Sequence, residues 1–192
     1  MTTSTDTSYI NNSDVAGRFR VLADRFASVL DTAPPSAWGA PSPCDGWTAR
    51  DVVGHVIESQ RDFFARHDID LGGMPDLDDP AAAWHAHASV VEERLDDPAV
   101  GSKAFDGHFG PTTVGDTILS FYGFDLVAHR WDVATAVGVD LRFTDDELEF
   151  METAADGFGA ALYSDGVCKS GVEAPAGSDR QTRLLARLGR TS

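Results

Sequence analysis

Residues 113–137 carry one long helical pattern with no polar face. Thr113, with Asp116 three residues on, marks its N-terminal cap, and Gly138 stops it. On a wheel of about 100° per residue, Ile118, Tyr122, Leu126 and Val133 share an arc of roughly 80°. Leu119, Phe121, Phe124, Val127, Trp131 and Val137 point in the other directions. A helix that is apolar nearly all round has to be surrounded by other elements. Asp125 and His129 fall inside or beside the main arc, so a carboxylate and an imidazole are carried into a core. A buried isolated carboxylate costs several kcal/mol even after relaxation. Asp125 must therefore be protonated, paired with a cation or bound to a metal, and the sequence places few buried cations nearby. The i, i+4 spacing lets an Asp125 oxygen and a His129 nitrogen meet at one point, as paired ligands of helical metal sites do. The same spacing also describes a metal-free, hydrogen-bonded Asp–His pair.

The rest of the chain supplies helices to surround this one. A first helix is expected over 13–30, with Val15, Phe19, Leu22, Phe26 and Val29 recurring at three- and four-residue steps and Pro34 and Pro35 ending it. Thr48, with Asp51 three residues on, caps a second helix reaching about residue 67. A third helix is expected over 81–95. Thr144 with Glu147 opens a fifth helix through about residue 162, and 178–188 reads as a short terminal one. The stretches 38–47, 68–80 and 96–111 are rich in Gly and Pro and read as connections. Few residues show the two-fold alternation of strands, so the expected class is all-α, with residues 1–12 a flexible tail and 13–192 one helical-bundle domain.

Composition narrows the partners. A formal charge of −16 opposes binding to phosphate backbones, so no nucleic acid is expected. No apolar run approaches the roughly 18 residues of a membrane span. Met1 to Asn12 lacks the cationic and apolar regions of a secretory signal, and Cys44 and Cys168 lie far apart outside any CxxC pair. A cytoplasmic, reducing compartment follows as the expectation. The phosphate loop, the GxGxxG turn, the GxSxG elbow and the HExxH helix do not occur, which removes most nucleotide, dinucleotide, serine-hydrolase and zincin chemistry.

Among the other polar candidates, Asp132 lies three residues past His129 in the same sector. It suits the orientation of a ligand imidazole, or acceptance of a hydrogen bond from a neighbouring segment. His55 lies at the margin of an apolar arc formed by Val52, Val53, Val56, Ile57, Gln60, Phe63 and Phe64, where it can line a cleft between helices. His67, His85, His87 and His108 are expected at the surface, with His108 a candidate for the rim of a site and Arg130 a further candidate there. Cys44, near a helix N-terminus, reads either as a turn-packing residue or as a reactive thiol.

The string Cys44-Asp45-Gly46-Trp47-Thr48-Ala49-Arg50-Asp51-Val52-Val53-Gly54-His55, with Asp125-Leu126-Val127-Ala128-His129-Arg130-Trp131-Asp132 about 70 residues later, resembles a pair of signatures from the DinB-like superfamily of metal-binding helical bundles. The resemblance is to the branch related to the N-terminal domain of mycothiol-dependent maleylpyruvate isomerase, and Arg183 to Arg190 resembles the end of that branch. It implies a four-helix bundle with additional short helices and one divalent transition metal held by His55, Asp125 and His129. Zinc or nickel are the first choices, with iron and manganese compatible with the same donors. It also implies a low-molecular-weight thiol such as mycothiol or bacillithiol as cosubstrate, activated at an open metal position for transfer to an electrophile or for isomerisation. Asp125 stands where the isomerase has the longer glutamate, so the metal site is carried over and the isomerase reaction is not. The alternatives are a non-catalytic metal-binding or stress-response module and a metal-free bundle, with a homodimer through bundle faces a reasonable assembly.

Overall fold

The computed structural model describes residues 14–164 and 168–191. The expected N-terminal tail, 1–12, lies outside the described residues. Among the described residues seven α-helices follow one another: α1 (Val15–Leu30), α2 (Ala49–Arg66), α3 (Pro80–Leu95), the single turn α4 (Pro98–Gly101), α5 (Val114–Val137), α6 (Asp145–Phe158) and α7 (Arg180–Arg187). Their starts are where the caps place them. Thr48 and Thr144 each form a reciprocal capping box, with Asp51 and Glu147 respectively, and Thr113 accepts from the Asp116 amide. Gly138 ends α5 in the left-handed conformation, φ 79°, that a side chain would strain. No described helix is long and apolar enough to cross a membrane.

The all-round apolar character of α5 has a direct architectural cause. One face packs on α1 and α2, which α3 backs, around Phe19, Phe26, Ile57, Trp84, Ile118 and Leu126, and the opposite face packs on α6, with α7 completing a second cluster around Phe124, Val127, Met151, Leu162 and Leu185. Every residue from Leu126 to Ala134 is consequently buried. Helices α1 and α5 approach closely at Gly115, where a β-carbon would stand 2.9 Å from both the Gly101 carbonyl oxygen and a Val15 methyl.

Two expectations fail here. The 96–111 stretch is not a plain loop: it contains α4 and, beyond it, a β-hairpin of β1 (Ala104–Gly107) and β2 (Gly110–Thr113), turning at His108 and Phe109. Four-residue strands containing Gly and Pro show no alternation to detect. His87, expected at the surface, is 1% exposed. It shares a face of α3 with Trp84 and Val91 at i, i+3 and i+7 spacing, and its Nε2 lies 3.0 Å from Gln60 Oε1.

Burial pushes the His87 imidazole down to about 3. Between its ordinary value of 6.5 and that value the unfolded chain takes up a proton that the folded chain refuses, so folding stability falls as the pH is lowered. Urea unfolding is expected to show the protein losing about 2 kcal/mol between pH 6.5 and pH 5 from this residue. The His87→Gln variant should lack that part of the slope; parallel pH profiles would count against a neutral buried His87.

Candidate functional site

Two helices contribute the central group. His55 comes from the second turn of α2, while Asp125 and His129 come from consecutive turns of α5, which packs along it. Ligating atoms of the three side chains all lie within 4.8 Å of one another. Asp125 Oδ1 is 3.2 Å from His129 Nε2, and the His55 and His129 rings are 5.2 Å apart, nearly perpendicular. Trp47, in the turn before α2, covers His55 at 4.7 Å between ring centroids.

The opposite nitrogen of His129 is tied down. With its proton on Nδ1, His129 donates to Asp132 Oδ2 at 2.9 Å. Asp132 is wholly buried and also accepts from Arg190 Nε at 2.8 Å, from Arg190 Nη2 at 2.6 Å and from the Cys44 thiol at 3.4 Å. The Arg190–Asp132 pair is thus a two-pronged, charge-assisted contact in the interior. Arg190 is reached because α7 ends at Arg187 and the chain reverses through Gly189, φ 75°. The expectation of few nearby buried cations therefore fails at Arg190, whose side chain is 10% exposed.

These contacts set the charges. Burial lowers the His55 imidazole and favours its neutral form. Burial pushes the Asp125 carboxyl up, but the His129 and His55 rings outweigh this and hold it below the usual carboxylate range. Burial works against the His129 cation too, yet Asp125 on one ring nitrogen and Asp132 on the other raise it well above its ordinary value. Burial opposes the Asp132 anion, and the His129 and Arg190 donors more than compensate.

The site is open on both sides. A cavity of about 190 Å³ adjoins His55, Asp125 and His129, with Asp62, Arg66, Phe121 and Tyr122 in its walls. A second, of about 370 Å³, reaches His55 and His129 from the side of Cys44, Lys169 and Arg190. Burial pushes the Tyr122 hydroxyl up to about 12, so it remains a neutral donor.

Of the rim candidates, neither lies at this group. Arg130 turns to the other face of α5, where it pairs with Glu147 at 2.8 Å and lies 5.8 Å from the Phe143 ring. The same all-round burial that carries Asp125 inward sends Arg130 into the second cluster. His108 sits at the hairpin turn and lines a separate cavity. Sequence reasoning gave Arg190 and Cys168 no role; both line the cavities, and only the tertiary reversal at Gly189 brings Arg190 there. The one sequence signal for Arg190 was Asp132 itself, a carboxylate on a buried helix face that needs a cation.

The donor set suits a divalent transition metal. Two donors bound at about 2.1 Å to a tetrahedral ion stand about 3.4 Å apart, close to the 3.2 Å between Asp125 Oδ1 and His129 Nε2. Nitrogen and oxygen donors match zinc, nickel, iron or manganese. Among the described residues no fourth Cys, His, Asp or Glu joins this group; Cys44 and Asp132 meet His129 from its Nδ1 side.

Residues 19–134 match the model of the mycothiol maleylpyruvate isomerase N-terminal domain family. The chain belongs to that family. The matched segment includes His55, Asp125, His129 and Asp132 and stops short of Arg190. Two similar proteins of Mycobacterium tuberculosis are the uncharacterized protein Rv0738 of strain H37Rv and the uncharacterized protein MT0763 of strain CDC 1551. Each is 31% identical over 134 residues, 69% of this chain and 71% of the relative. No solved structure matches the chain at a significant level.

Proposed function

We propose that this chain is a metal-dependent thiol enzyme, a transferase or isomerase using a low-molecular-weight thiol of the mycothiol type. The observation that carries the reading is the convergence of His55, Asp125 and His129 on the floor of an open cavity, with the far side of His129 locked by Asp132 and Arg190. A bound zinc or nickel ion would supply a Lewis acid that lowers the pKa of a coordinated thiol and holds the thiolate for attack.

The residues divide the work. Asp132 holds the Nδ1–H of His129, so that Nε2, whose proton faces Asp125, is the nitrogen that would be given up to a metal, the arrangement in which an outer carboxylate orients a ligand imidazole. Arg190 keeps Asp132 ionised and in place. His55 contributes a neutral imidazole from across the helix interface, and Trp47 shields it from water. Tyr122 and Arg66 stand in the cavity wall as donors toward a bound acceptor. The family match supports the thiol, and the open cavity supports catalysis over a closed structural site.

The test is to incubate zinc- or nickel-loaded protein with mycothiol, bacillithiol and glutathione beside a panel of electrophiles, following free thiol. Consumption with one thiol, lost in His129→Ala, is expected. No consumption with any thiol would favour the non-catalytic metal-binding module instead.

A further inference from the structure

Beside the donor group lies a larger space that thiol activation does not use. The hairpin, the C-terminal end of α2, α5 and the end of α6 enclose a cavity of about 690 Å³. Its walls are aromatic: Phe63, Phe105, Phe109, Phe121 and Phe158 all line it. Phe105 lies 6.0 Å from Phe63, and Phe109 stacks on Phe158 at 5.9 Å and 26°, so the hairpin closes the space from both ends. Phe109 is nonetheless 63% exposed, and Phe121 is 36% exposed. Such rings at an open cavity provide flat apolar faces for a ligand to stack on.

This space joins the smaller cavity at the donor group, because Arg66, Phe121 and Tyr122 line both. Arg66 is a cation in the cavity wall without a carboxylate partner among the described residues, and its side-chain hydrogen bond is a long 3.5 Å contact to the Tyr122 hydroxyl. Most other arginines and lysines of this acidic chain are held by carboxylates or carbonyls, as Arg61 is by the 71–73 loop. Asp106 is the one acid among the described lining residues. It is exposed and, next to Phe105 on β1, points to the opposite face of the ribbon. Asp62 and Asp125 face the smaller cavity.

From this geometry we infer that the aromatic cavity binds the electrophilic cosubstrate, a flat aryl or comparably apolar acid whose anionic group is held by Arg66 at the junction with the donor group. The assignment rests on the thiol-enzyme reading above. It gives the two substrates separate berths: the apolar body between the hairpin and α5, its charged end directed toward His55, Asp125 and His129.

The test uses 2-naphthoate and its neutral counterpart 2-naphthamide, titrated calorimetrically at pH 8 into full-length protein, both metal-loaded and chelator-stripped. The carboxylate is expected to bind about tenfold or more tightly than the amide, the difference a charge-assisted hydrogen bond makes. Arg66→Gln should bring the carboxylate down to the level of the amide while leaving the amide and the metal content unchanged. Phe109→Ser, at a position 63% exposed, should weaken both. Equal binding of the two probes, or indifference to Arg66→Gln and Phe109→Ser, would overturn the assignment. So would a concentration-dependent dimer that Phe109→Ser dissociates, since the aromatic patch would then be an interface between copies. Selectivity retained without thiol consumption would leave an aryl-acid site with no thiol partner, overturning the cosubstrate role; thiol consumption without selectivity would overturn the cavity assignment alone.

Discussion

Arg190→Ala is expected to destabilise the folded chain by about 3–5 kcal/mol, the usual effect of removing one partner of a buried ion pair. Asp132 has no exposed side-chain surface, and the guanidinium supplies two of its contacts, at 2.6 and 2.8 Å. Without it the carboxylate keeps only His129 and the weak thiol donor of Cys44. Chemical denaturation measures the loss. Pairing the substitution with Asp132→Ala should recover part of it, because the stranded charge goes with its partner. The same variant should weaken metal binding about 10- to 100-fold, since His129 loses the support of its orienting carboxylate. A loss below about 1 kcal/mol would mean that the pair behaves as an exposed one.

His129→Ala is expected to abolish metal retention, from about one divalent ion per chain to none, as measured by elemental analysis of purified protein. His55→Ala and Asp125→Ala should each reduce it in the same direction. His129 has the largest effect because its ring touches both carboxylates and faces His55. An ion that binds only the folded state, present at about 100 times its dissociation constant, adds about 2.7 kcal/mol. For a chain of this size that raises the melting temperature by about 5–10 °C, a shift the His129 variant should lack. Unchanged metal content in that variant would sink the assignment of the donors.

The bundle was legible because its signals are local. Caps at Thr48, Thr113 and Thr144 depend on residues three positions apart, and the polarity of α5 follows from its own side chains. The pairing of Asp125 with His129 was legible for the same reason. What spacing alone could not give depends on distant chain segments: Arg190 meets Asp132 across 58 residues, and Trp47 and His55 meet His129 because α2 lies along α5, a grouping of His55 that the family resemblance implied and the helix wheel did not. Arg130 shows the limit of a helix wheel. It sits one residue from His129, yet the wheel could not say that a second cluster on the far side of α5, with Glu147 in it, would claim the guanidinium.

The placement of α5 between two clusters also governs how the molecule comes apart. Both clusters take α5 as a wall, so losing this helix would open both at once. Nor can α7 peel away quietly, since the chain that follows it carries Arg190, and its departure would strand Asp132 inside the bundle. Opening at α7 is therefore expected to reach inward, because it removes the cation that holds Asp132 against His129 and so loosens the support of the donor group.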